Sequence, residues 1–198
     1  MWTETKLVIA SGNAGKIAEF ESIFKPWGTE VIGQKALGLE SPEETGLTFI
    51  ENALLKARYA ANTSGYAALA DDSGLVVPAL NGAPGLYSAR FAGPKATDAD
   101  NRNALIGALE SIPHAQRSGY YICALALLRS AEDPDPVVVV KRWWGNLLDT
   151  PRGSGGFGYD PLFQPTGTAL TAAEMAADEK NRCSHRGLAV AALIQALE

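Results

Sequence analysis

The segment Tyr120 to Leu128 is apolar at both alternating sets of positions. A strand that is apolar on both faces must lie in the middle of a sheet covered by other elements on each side. Earlier in the chain, Leu7 to Ala10 is a short apolar run that stops at Ser11-Gly12-Asn13-Ala14-Gly15, after which Ile17, Phe20, Ile23 and Phe24 recur at helical spacing. Strand, glycine loop and helix follow in that order. Thr29 to Ile32 predicts a second strand, and Leu47 to Asn62 a helix burying Phe49, Ile50, Ala53, Leu54 and Ala57. Asn52 and Lys56 are four residues apart, so both project from one side of that helix. Ala67 to Ala70 and Leu75 to Val77 read as two strands flanking Asp71-Asp72-Ser73-Gly74. A Gly/Pro loop follows over residues 81–95, then a helix near 98–110. Val137 to Trp144 should pair with the central strand across the turn Ala131 to Pro136, and the tail from Ser184 reads as a closing helix. Early alternation of strands and helices followed by paired strands predicts an α/β fold with a mixed central sheet and flanking helices.

With 198 residues, and about 150 per domain, the chain is read as a single domain over 1–198. It contains 17 Lys+Arg against 22 Asp+Glu, a formal charge of −5. That balance argues against a partner that is a nucleic-acid polymer, because phosphate backbones are held by clustered lysine and arginine. Any bound anion is therefore held locally. Cys123 and Cys183 form no CxxC and lack zinc spacing, the pattern of a reduced, cytoplasmic protein. The four apolar residues from Leu7 are too few for a signal peptide or a membrane span, so no membrane partner is expected.

Four stretches carry chemistry. Ser11, Gly12, Asn13, Ala14, Gly15 and Lys16 lead from a strand into a helix, where backbone N–H groups and the helix dipole favour phosphate. A Walker A loop is excluded, since Ile17 and Ala10 occupy two of its required positions; a plain βα turn is the other reading. Asp71 and Asp72 follow a strand, and adjacent carboxylates suit a hard cation or the deprotonation of water, against an Asx-type turn in solvent. Glu43 and Glu44 offer further oxygen ligands, or cap the next helix; for Glu44 the capping role is expected. Gly155-Gly156-Phe157-Gly158-Tyr159-Asp160-Pro161 joins flexible backbone to rings that suit a planar base, or forms a buried aromatic turn. Arg90 is read as a phosphate fork or a salt-bridge partner, His185 as a structural histidine unless a polar ligand lies nearby, and His114 and Trp143-Trp144 as surface and sheet packing.

Taken together these segments, with Gly82-Ala83-Pro84-Gly85, Tyr87-Ser88-Ala89-Arg90 and Ser184-His185-Arg186-Gly187, closely resemble the inosine/xanthosine triphosphate pyrophosphatase family, also called Ham1-like. The matches run in family order from residue 7 to residue 188. The resemblance implies an elongated, two-lobed fold with a central cleft, a homodimer, and Mg²⁺-dependent hydrolysis of ITP, dITP and XTP to monophosphate and pyrophosphate. It implies Asp72 as proton acceptor and metal ligand, Glu43 as the second metal-associated carboxylate, residues 11–16 as the phosphate loop, Lys56 as a phosphate contact and Ser73 as a substrate contact. Phe157, Gly158, Tyr159, Asp160, Lys180, His185 and Arg186 resemble the base- and substrate-recognition set. Two rival readings are a non-catalytic nucleotide sensor and a related hydrolase acting on modified pyrimidine nucleotides.

Overall fold

The computed structural model describes residues 2–198. Its strands are β1 (Lys6–Ile9), β2 (Glu30–Gly33), β3 (Ala67–Val76), β4 (Ser118–Leu128), β5 (Val137–Leu147) and β6 (Phe163–Pro165), and its helices α1 (Ala14–Phe24), α2 (Phe49–Ser64), α3 (Asp98–Leu109), α4 (Ala177–Cys183) and α5 (His185–Leu197). They form one six-stranded sheet in the order β2-β1-β3-β4-β5-β6. β1 runs parallel to β2 and to β3, and β5 antiparallel to β6, so the sheet is mixed as expected. The doubly apolar strand, β4, lies inside the sheet with β3 and β5 as neighbours.

The contacts divide the chain into two compact units. The first runs to Asp72 and adds Cys123–Val140 and Ala189–Glu198; the second comprises Ser73–Ile122 and Lys141–Leu188. Strands β3, β4 and β5 each give residues to both.

In the first unit the period of two along the strands sorts side chains onto two faces. Leu7 and Ile9 of β1, Ala67 and Leu69 of β3, and Cys123, Leu125 and Leu127 of β4 pack with Phe20 and Phe24 of α1 and with Ala189 and Leu193 of α5. The intervening residues Val8, Ala68, Ala70, Ala124 and Ala126 pack on the other face against Ala53, Ala57, Ala60 and Ala61 of α2. Alanine on both partners brings α2 close to the sheet. Large side chains carry the α1 face, where burying each phenylalanine contributes about 1.5–3 kcal/mol. The turn between β4 and β5 is an Asx turn: the carboxylate of Asp133 accepts from the backbone N–H of Arg129 at 2.8 Å and of Asp135 at 3.0 Å.

The second unit is built around Leu75, Leu105, Leu109, Tyr121, Trp143, Leu162 and Phe163. Its helix α3 starts at a capping box, with Thr97 and Asp100 satisfying each other's backbone N–H groups. Of the tryptophan pair on β5, Trp143 points into this core and Trp144 outward onto Tyr120, with ring centroids 4.5 Å apart.

Two expectations need correction. The Asp71-Asp72-Ser73-Gly74 segment is no turn between strands; it lies inside β3, which is continuous over ten residues. Turn-prone composition yields here to pairing with the sheet and to the lysines that meet the two acids. Glu44 does not cap α2 either: the cap is Thr48, whose hydroxyl accepts from Glu51 N–H, and Glu44 turns to Lys56 instead.

Candidate functional site

Because β3 continues through the acidic pair, its alternation also separates the two carboxylates. Asp71 follows the odd-numbered residues toward α1 and meets Lys16, whose ammonium lies 2.7 and 2.6 Å from the two carboxylate oxygens. Asp72 follows the even-numbered residues toward α2 and meets Lys56 at 2.9 Å and the side-chain amide of Asn52 at 3.4 Å. The adjacent acids therefore do not share one oxygen site. Both lie beyond the carboxyl end of β1, the edge where open parallel sheets place their ligands.

Asn52 and Lys56 do project from one side of α2, as their spacing predicts, and both are buried. Asn52 also accepts from the N–H of Gly46 at 2.8 Å. A Cβ at residue 46 would stand 2.6 Å from that same amide oxygen, so glycine is what allows the loop before α2 to close over Asn52. Lys56 bonds Glu44 at 2.8 Å as well, forming a Glu44–Lys56–Asp72 triad. Glu43, its neighbour, is exposed.

The electrostatics of the triad are asymmetric. Burial lowers the proton affinity of Lys56, but the charges and hydrogen bonds of Asp72 and Glu44 more than offset it, and its pKa stands above the ordinary lysine value. For Asp72 burial dominates and pushes the pKa up; Lys56 and Asn52 pull it down, Glu44 pushes it up again, and the result lies above the usual carboxylate value. Asp72 is thus a carboxylate with raised proton affinity on a charged, half-buried edge.

In the glycine loop, Asn13 caps α1: its side chain accepts from the N–H of Gly15 at 2.9 Å and of Lys16 at 3.2 Å. The N–H of Asn13 in turn donates to the Ser11 hydroxyl. Gly12 and Ala14 are exposed at the same turn. Two of the amides that sequence reasoning assigns to an anion are therefore engaged by the cap in this state.

The second unit holds a pocket of about 590 Å³, its open mouth included. Ser73, Phe157, Gly158, Tyr159, His185 and Arg186, all candidate substrate contacts in the sequence, line it, and Asp98, Asn101 and Tyr121 join them. Phe157 is 60% exposed. His185 is buried and stacks parallel on Tyr121, centroids 4.9 Å apart and planes 11° off parallel. Asp160 is buried and accepts from the Phe157 N–H at 2.8 Å and from the Lys180 ammonium at 2.5 Å. The same ammonium lies 5.1 Å from the centre of the Phe157 ring. Burial, reinforced by the neighbouring Asp160 carboxylate, pushes the Tyr121 phenol well above its ordinary value, so it stays protonated. The Tyr159 hydroxyl donates to the Ser88 carbonyl at 2.8 Å. Arg90 packs over the Tyr87 ring at 5.2 Å, a role that was not among its expected ones.

The sequence does not single out Tyr121 or Asp98. Tyr121 lies in a strand read as apolar throughout, and Asp98 in a helix that carries no motif of its own.

These features define a class: an α/β protein with lysine–carboxylate pairs at the carboxyl edge of its parallel strands and an aromatic pocket with polar walls. The Ham1 family model matches residues 7–196, and the chain belongs to that family. It is 50% identical over 192 residues to the dITP/XTP pyrophosphatase of Escherichia coli O157:H7, an alignment covering 97% of this chain and 98% of the relative. Among solved structures, a HAM1 protein from Coxiella burnetii superimposes with a TM-score of 0.93 at 43% identity, covering 97% of this chain and 98% of that one. A nucleoside-triphosphatase / dITP/XTP pyrophosphatase from Mycobacterium abscessus gives a TM-score of 0.83 at 42% identity, covering 98% and 100%.

Proposed function

We propose that this chain hydrolyses deaminated purine nucleoside triphosphates, ITP, dITP and XTP, to the monophosphate and pyrophosphate. The observation that carries the proposal is Asp72: a carboxylate with raised proton affinity, set beside Lys56 and Asn52 at the ligand-binding edge of the sheet. A general base works best when its pKa is moved toward the working pH, and burial supplies that shift here.

In this reading a water oxygen bonds to the α-phosphorus, its proton passes to Asp72, and the bond to the bridging oxygen breaks so that pyrophosphate leaves with the electron pair. Lys56 and Lys16 offset phosphate charge from opposite faces of β3, and the turn at residues 11–16 holds the phosphate chain. Each lysine exchanges part of its bonding to a carboxylate for bonding to phosphate. The second unit reads the base: Phe157 stacks on it, and Ser73, Gly158, Tyr159, Asp160, Lys180, His185 and Arg186 form or support the polar wall. A 6-keto purine offers an acceptor where adenine offers an amino donor, so donors in the wall favour the keto base, and leaving them unpaired against adenine is costly.

Mg²⁺ fits the donor set. No cluster of three His, Cys, Asp or Glu stands ready among the described residues, but magnesium takes few carboxylates and completes its shell from phosphates and water. Asp72, which keeps Lys56 and Asn52 as partners at the sheet edge, would anchor the ion, and the exposed Glu43 would be the second carboxylate. When bound, the ion supplies further neutralisation of phosphate charge and acidifies water.

A homodimer and a cytoplasmic location belong to the same reading. No helix among the described residues is long and apolar enough to cross a membrane, and the net charge of −5 disfavours polymeric nucleic acid. The test is product analysis with Mg²⁺ and ITP, XTP, dTTP or ATP. Pyrophosphate and monophosphate from the first two support the reading; preference for dTTP, or no turnover of any, contradicts it.

A further inference from the structure

Gly158 sits between two residues of α3. Its N–H donates to the Asp98 carboxylate at 2.6 Å, and its carbonyl accepts from the Arg102 guanidinium at 2.8 Å. Asp98 and Arg102 are one turn apart and so share a face of the helix. On that same face Asn101, buried to 2% exposure, accepts from Ala92 N–H at 2.8 Å and donates to the Ala89 carbonyl at 3.2 Å. One edge of α3 thus holds two backbone segments that wall the same pocket.

The grip on Gly158 matters because of the residue before it. The Gly158 backbone has φ +59°, a left-handed conformation that glycine adopts without a Cβ penalty, and glycine's backbone freedom makes contacts that hold the peptide count for more. Phe157, immediately before it, is 60% exposed, and burial therefore fixes little of its ring. Its backbone N–H is held by Asp160, and its C-terminal neighbour by Asp98 and Arg102. Both sides of the residue are pinned, and the Lys180 ammonium lies over one ring face, while the residue as a whole stays 60% exposed.

We propose that Asp98 and Arg102 are positioning residues for base recognition, clamping the Gly158 peptide so that Phe157 is presented as a preformed stacking surface. The inference rests on the functional reading above, in which Phe157 faces a purine. Preforming the surface removes the ordering cost that binding would otherwise carry. The clamp also engages the N–H and carbonyl of Gly158, so the base-reading donors are supplied by other groups of the wall.

Steady-state kinetics of the full chain test this with ITP and ATP as substrates and inorganic tripolyphosphate, which has no base, as competitive inhibitor. Asp98→Ala and Arg102→Met are expected to raise KM for ITP about tenfold, within the range a base–aromatic stack contributes. In both, kcat should stay within about twofold and tripolyphosphate inhibition should be unchanged, since the phosphate contacts are elsewhere. Asp98→Asn keeps an oxygen that accepts from Gly158 and should hold KM near the wild-type value. The proposal is overturned by a wild-type KM in Asp98→Ala, by equal defects in Asp98→Ala and Asp98→Asn, or by a parallel loss of tripolyphosphate inhibition. Failure of both Asp98→Ala and Arg102→Met to fold would assign the two residues to the scaffold and overturn it as well. Wild-type protein that does not prefer ITP to ATP sinks the functional reading itself, a result separable from any behaviour of the variants.

Discussion

The Lys16 ammonium donates to both carboxylate oxygens of Asp71, at 2.7 and 2.6 Å, on the face of β3 opposite the one where Asp72 meets Lys56. Two acids adjacent in sequence are thereby assigned different work. Asp71, with only 4% of its side chain exposed, ties α1 and the glycine loop to the sheet, whereas Asp72 is left on the α2 side with Asn52, Lys56 and Glu44 around it.

Replacing Asp72 by asparagine keeps the size and the contact with Lys56 but removes the basic oxygen. Turnover of ITP should fall by about a thousandfold, inside the range for loss of a general base. Circular dichroism and the melting temperature should stay near wild type, because relief of a buried charge offsets the lost ion pair. Activity above a tenth of wild type would place the base elsewhere.

Lys16→Met should produce two effects at once. KM for the triphosphate rises about tenfold, and stability drops on the order of 2–3 kcal/mol because a buried carboxylate loses its cation. Adding Asp71→Asn to Lys16→Met should restore most of the stability and none of the affinity. Urea unfolding and initial rates on the same preparations separate the two, and recovery of KM in the double variant would show that Lys16 acts only through Asp71.

The Asx turn gives a pH prediction. Burial pushes the Asp133 carboxyl up, but the backbone N–H groups of Arg129 and Asp135 and the charges of Arg129 and Arg58 more than compensate, and its pKa lies below the ordinary value. A depressed folded-state pKa contributes stability above the unfolded value of about 3.9 and loses it as pH falls through the folded value. Asp133→Asn should therefore cost about 1–2 kcal/mol near neutral pH. The gap from wild type should close as the pH drops below the usual carboxylate range. Urea titrations at both pH values check this, and a gap that widens in acid would contradict the assignment.

Chelation supplies another check. Removing divalent ions with EDTA should abolish hydrolysis of ITP, and Mg²⁺ should restore it, while Glu43→Gln should demand more Mg²⁺ for half-maximal rate. An unaltered magnesium requirement in Glu43→Gln would leave Asp72 with a different carboxylate partner, and Glu44 is the one already in its field.

Much of this arrangement was legible in sequence because it follows from period alone. The doubly apolar β4, the α2 face carrying Asn52 and Lys56, and the strand–loop–helix unit that places Lys16 are consequences of spacing. What stayed hidden depends on tertiary contact. Asp71 to Gly74 has the composition of a turn, yet it lies in a continuous strand and its acids meet distant lysines. Helix α4 is polar and short, without an apolar stripe, and β6 ends in Pro165 at the sheet edge, so neither announces itself. Glu44 and Glu43 look equivalent in a list of residues; the fold turns one to Lys56 and leaves the other exposed. Asp98 and Arg102 acquire meaning only through a backbone peptide more than fifty residues away.

The central claim is that the chain cuts between the first and second phosphorus atoms of a deaminated purine nucleotide. Hydrolysis of ITP in oxygen-labelled water, followed by mass spectrometry of the products, tests it most directly. The account predicts one labelled oxygen in the inosine monophosphate and none in the pyrophosphate; label in pyrophosphate or in free orthophosphate would contradict it.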